Sequence, residues 1–158
     1  MKRLLLFAAA MQAGVAAADP ETGQWVKYEG AIRLYENAVD VVQTRELLAF
    51  DEEKQQFLER QSSTVGGETK TTEEWMAAAS YLSTATVTTM LADCEGSGGQ
   101  ARTVVVKGEP METCAIVEDS PDSAYVHYIA HVPFSLARTT SLRKSDGLLV
   151  DMTLADWR

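Results

Sequence analysis

The chain has 158 residues, 46% hydrophobic and 23% charged, with 14 Lys and Arg against 23 Asp and Glu for a net charge of −9. That apolar share suits a folded domain with a core rather than a disordered tail or a fibre. An acidic balance with no basic cluster excludes recognition of nucleic acid, and of anionic headgroups, by charge.

The N-terminal stretch MKRLLLFAAAMQAGVAAADP places Lys2 and Arg3 before an apolar run from Leu4 to Val15 and a small-residue site at Ala16, Ala17 and Ala18. This predicts a secretory signal peptide over 1–18, followed by one β-rich domain over 19–158. The run is shorter than the roughly 20 apolar residues that spanning requires, and no later window approaches that length. A mature chain with no transmembrane segment, periplasmic or secreted, is therefore expected. Loss of Lys2 and Arg3 leaves 12 basic against 23 acidic side chains, a net charge of −11.

Trp25 to Leu34 alternates, with Val26, Tyr28, Ile32 and Leu34 on one side and Lys27, Glu29 and Arg33 on the other, which reads as a half-buried strand. TRELLAFDEEKQQFLERQ fits either an amphipathic helix or two strands around a turn at Asp51 to Lys54. The threonine-rich QSSTVGGETKTT after it favours hairpins, with a turn at Gly66 and Gly67. STATVTTMLADCEG predicts one short helix near 84–95, capped by Ser83 or Thr84, ended by Gly96, with Val87, Met90, Leu91 and Cys94 on one face.

Arg102 to Lys107 and Met111 to Glu118 flank Gly108 to Pro110 as a hairpin. Ala124 to Val132 reads as a further strand, ended by Pro133. Leu136 to Lys144 leads into an Asp146-Gly147 turn and a last alternating strand from Leu148. The sum is a mainly β (α+β) fold: a curved antiparallel meander of about 8–9 strands forming a half-barrel or open barrel.

Cys94 and Cys114 are the only cysteines. In an oxidising compartment they are expected to pair as a staple, since their spacing of twenty is unlike a Cys-x-x-Cys redox motif.

WVKY near the mature start, a cysteine followed by SGG, TVVVKGEPMETC, VPF at 132–134, and SDG before a final strand ending in Trp157 together resemble exported bacterial proteins of the periplasmic half-barrel type, the lipoprotein carrier LolA and its relatives. The resemblance implies a curved antiparallel sheet that holds acyl chains beneath covering helices. This chain departs from that group in its cysteine pair and in having no obvious covering helices, and the resemblance assigns no role residue by residue.

No catalytic or metal-ligating constellation is apparent, and no cofactor is called for. His127 and His131, four apart in one strand, would face the same side about 13 Å from each other, too far to share an ion. The Gly96 to Gln100 loop lacks the lysine and threonine of a phosphate-binding loop. Asp51, Glu52 and Glu53 lack the alternating order of a calcium loop and read as a solvated turn. Neither Gly-x-Ser-x-Gly nor His-Glu-x-x-His occurs, so an enzyme is not expected.

Trp25, Tyr28, Trp75, Tyr81, Tyr125, Tyr128 and Phe134 read most simply as core side chains; where the sheet leaves an open mouth, the same side chains are expected to line it and hold a hydrophobic ligand. The functional expectation is an exported, non-catalytic protein that binds a hydrophobic small molecule or lipid in the concave face of the sheet. The alternative is a periplasmic interaction module, of inhibitor or immunity type, whose acidic surface meets a basic protein partner.

Overall fold

The computed structural model describes residues 19–158, so the predicted signal peptide lies outside the described residues. Among these, nine antiparallel strands form one sheet that is not closed into a barrel: β1 (Trp25–Leu34), β2 (Asn37–Asp51), β3 (Gln56–Val65), β4 (Glu68–Ala77), β5 (Gln100–Val106), β6 (Glu109–Asp119), β7 (Ser123–Ile129), β8 (Leu136–Arg143) and β9 (Leu148–Trp157). The single α-helix among the described residues, α1, spans Thr84–Ala92. The hairpin reading of residues 45–61 therefore holds, as does the Asp51 to Lys54 turn, where the Lys54 N–H donates to the Asp51 carboxylate at 3.0 Å. Ser83 caps α1 by accepting from the Thr86 N–H at 3.1 Å, and the helix ends at Asp93, ahead of the expected Gly96.

The strand order is β4-β3-β2-β1-β9-β8-β7-β6-β5. Two runs of hairpins are thus joined at the middle, where the first strand pairs with the last from Val26↔Trp157 to Arg33↔Leu149. β4 and β5, consecutive in the chain, lie at opposite edges, and the segment carrying α1 connects them. At the centre β1 and β9 come close: a Cβ at Gly30 would lie 1.8 Å from the Asp151 carbonyl oxygen, so only glycine fits.

Strand partners share a face, and the register makes the sheet amphipathic. One face carries Val26, Tyr28, Arg45, Val41, Met152, His127 and Ile116. Its opposite carries the cross-strand ion pairs of Arg60 with Glu46 and Glu73, and of Arg138 with Asp151. The core is a contiguous cluster of Val26, Tyr28, Val41, Met152 and Leu154 with Ala130, Val132 and Ala137 from the β7–β8 corner and Val104 and Val106 from β5. β5 reaches it because the sheet bends until β5 approaches β8 and β9, with Lys107 paired to Asp156 and 4.2 Å above the Trp157 ring.

The expected strand from Ala124 to Val132 is corrected. β7 stops at Ile129, because the Ala130 N–H turns to the Ser135 carbonyl at 3.1 Å and Pro133, without an N–H, starts a tight turn in which Phe134 and Ser135 have positive φ. His131 consequently lies past the strand end and does not share a strand face with His127; its Nε2 is 3.4 Å from Thr88 Oγ1 of α1.

The staple is present. Cys94, just past α1, is bonded to Cys114 of β6 with Cα atoms 5.5 Å apart. Gly99 is required beside it, since a Cβ there would lie 2.5 Å from Cys114 Sγ and 2.7 Å from Ile116 Cδ1. The loop after α1 therefore lies on the apolar face of the sheet.

Candidate ligand-binding face

Two features of the apolar face stand out from ordinary packing. The first is a buried charged cluster. Arg45 of β2 and Glu59 of β3 sit diagonally across the strand pair on the face that also holds Leu47 and Phe57. Arg45 Nε donates to Glu59 Oε1 at 2.6 Å and Nη2 donates to Oε2 at 2.9 Å, while the Tyr81 hydroxyl donates to Oε2 at 2.6 Å. Burial by itself would raise the Glu59 pKa, but the hydrogen bonds from Arg45 and Tyr81 outweigh it and hold the carboxyl below its usual range. Burial and the adjacent Glu59 carboxylate push the Tyr81 phenol well up, so it stays a donor.

Phe134 closes the cluster, its ring 4.5 Å from the Arg45 guanidinium and edge-on to Tyr81 at 5.9 Å. Phe57 meets Tyr81 edge-on at 5.6 Å and Phe50 at 4.6 Å. To sit there Phe134 adopts φ 60° and Ser135 φ 57°, left-handed conformations that cost a bulky residue about 1–3 kcal/mol. Tyr28, beneath, donates its hydroxyl to the Leu136 carbonyl at 3.0 Å. A small cleft of about 160 Å³ opens beside the pair, lined by Arg45, Glu59, Gln61, Thr72, Glu74 and Met76.

The second feature is an apolar belt lying across the strands. Following the register, Val65, Val41, Gly30, Met152, Thr139, His127 and Ile116 make one row. Val39, Ile32, Val150, Ser141 and Tyr125 make the next. Val41 and Met152 are buried, Ile32 and Val150 half-buried, and Val39, Val65 and Tyr125 exposed by 40%, 37% and 40%. The belt ends beside Ile116 against the Gly99 loop. Along β2 it lies about 13 Å from Arg45, four residues away at about 3.3 Å each. A separate groove of about 450 Å³ runs between the end of α1 and β5–β6, lined by Leu91, Cys94, Ala101, Arg102, Thr103, Glu112 and Thr113.

The aromatic residues expected at a mouth are dispersed. Tyr28 and Phe134 meet at the charged cluster. Tyr125 joins the belt, stacked on His127 with centroids 6.0 Å apart. Trp25 lines a different groove with Arg60 and Arg158, Trp75 is exposed on β4, and Tyr128 packs on the core near Arg138. Tyr81 joins Tyr28 and Phe134 at the cluster, whereas Arg45 and Glu59 were not expected. Their signal is a charge placed two residues from an apolar inward position, Arg45 before Leu47 and Glu59 after Phe57, but it is readable only once both segments are known to be strands.

No family model and no curated protein matches the chain. Among solved structures it is similar to the crystal structure of MucB, with 13% identity over 90% of this chain and 55% of that chain and a TM-score of 0.34. The chain thus spans about half the length of that structure. The open antiparallel sheet agrees with a half-barrel architecture. Among the described residues no helix is long and apolar enough to cross a membrane.

Proposed function

We propose that this is an exported, non-catalytic protein that binds an amphiphilic, lipid-like ligand on the apolar face of its sheet. The observation that carries the reading is the belt of Val39, Val65, Ile32, Val150 and Tyr125, an apolar strip continuous with the core yet open to solvent. An acyl chain laid along it has valine and isoleucine beneath it. Export is supported by the leader-like N-terminus and by a disulfide, which persists in oxidising compartments. A binding role rather than catalysis is supported by the buried carboxylate: both Glu59 oxygens are already engaged, which leaves no free base there. Nine carboxylates among the described residues are ion-paired within the chain, which lowers what an acidic surface has to offer a basic protein.

Thermal unfolding with lauric acid and with lysophosphatidylcholine, both below micelle formation, tests this. A ligand that binds only the folded state raises Tm, by the equivalent of about 2.7 kcal/mol at a hundredfold excess over Kd. The rise should vanish in Ile32→Asp and Val150→Asp. No shift with either lipid, or a shift indifferent to both substitutions, overturns the reading.

A further inference from the structure

The two edges of the sheet are treated differently. β5 is seven residues long and is bent back toward β8 and β9. β4 is ten residues long, keeps unbroken register with β3 from Gln56↔Ala77 to Val65↔Glu68, and has nine exposed residues. It contains no proline and no bulge, and nothing among the described residues covers its outer side. Proteins usually shorten, twist or cover such an edge because its free N–H and C=O groups invite another strand.

Charge selects the strand. Glu68, Lys70, Thr72 and Glu74 share one face of β4, and none of the three charged residues has an ion pair among the described residues. Lys70 and Glu74 lie about 13 Å apart along one strand and cannot reach each other. We propose that β4 pairs antiparallel with β4 of a second copy of this chain, about a two-fold axis at Thr72, joining the two sheets edge to edge.

A two-fold axis normal to the sheet sets like face beside like face, so the choice of centre decides every opposition. Centring on Lys70 opposes two lysines, centring on Thr71 sets Glu68 against the partner's Glu74, and centring on Glu73 or Glu74 opposes two glutamates. Like charges directly opposite destabilise a sheet. Thr72 avoids all of these. It sets Lys70 against the partner's Glu74 twice over, Glu73 against the partner's Thr71, and Trp75 against the partner's Thr69. Trp75, 45% exposed in one copy, gains a neighbour.

Light scattering and native mass spectrometry of the purified protein read the outcome. The wild-type chain should have twice the monomer mass. Lys70→Glu should weaken the dimer about tenfold or more by placing acidic groups opposite one another. The exchange Lys70→Glu with Glu74→Lys should restore it, because the same two pairs re-form with signs reversed. Thr71→Pro, whose N–H faces away from β3, should give a monomer with an unchanged circular dichroism spectrum. A monomeric wild type overturns the proposal, and so does a dimer indifferent to Lys70→Glu or a double exchange that fails to restore association.

Discussion

Arg45 and Glu59 meet across β2 and β3 with both carboxylate oxygens engaged, at 2.6 and 2.9 Å, under a Phe134 ring 4.5 Å from the guanidinium. Buried ion pairs are seldom net stabilisers against apolar residues of similar volume, yet breaking one leaves an uncompensated charge. Arg45→Met is therefore expected to destabilise by about 3 kcal/mol or more, whereas Arg45→Met with Glu59→Met should recover most of that loss. Urea unfolding of the three proteins checks it, and equal stabilities for the single and double variants would refute it.

The same pair sets an acid limit. The Glu59 pKa is lower in the folded chain than in the unfolded one, so its contribution is complete above the unfolded value, near 4.5, and is lost as pH falls through the folded value. Stability should drop below about pH 4.5 more steeply in the wild type than in Glu59→Gln. Other carboxylates with lowered pKa, such as Asp146 and Asp156, are common to both proteins, so the difference between the two curves reports Glu59. Parallel curves would remove the assignment.

The Cys94–Cys114 bond closes a loop with a sequence separation of 20 and ties the end of α1 to β6. Reduction, or Cys94→Ser with Cys114→Ser, should lower stability by about 3 kcal/mol in the chain-entropy description. Thiol titration of the native protein should find no free sulfhydryl. A reactive thiol before reduction would contradict the structure.

Gly30 marks where β1 and β9 come closest. Gly30→Ala places a methyl 1.8 Å from the Asp151 carbonyl oxygen, a backbone atom that no side-chain rotation can move. A loss of about 1–3 kcal/mol is expected, the usual range for overpacking. Gly67→Ala, where a Cβ meets open space at φ 88°, is a control that isolates positive-φ strain from steric clash. If Gly30→Ala melts no lower than Gly67→Ala, the close approach is not real.

The local sequence was enough to define most strands, the turns at Gly66-Gly67 and Asp146-Gly147, the short helix and the cysteine pair, while residues 45–61 also fitted a helix and the cap lay between Ser83 and Thr84. Period-two alternation, turn chemistry and capping act within a few residues, so a single segment carries their whole signal. It misplaced the end of β7, because the Ala130 amide is claimed by Ser135 across a corner that no alternation announces. Tertiary structure alone decided that β1 pairs with β9, that β4 and β5 become opposite edges, and that Arg45, Glu59, Tyr81 and Phe134 converge. Those outcomes depend on pairings distant in the chain and on register shifts at Leu48, Ala137 and Ala155, whose energies are shared among many residues.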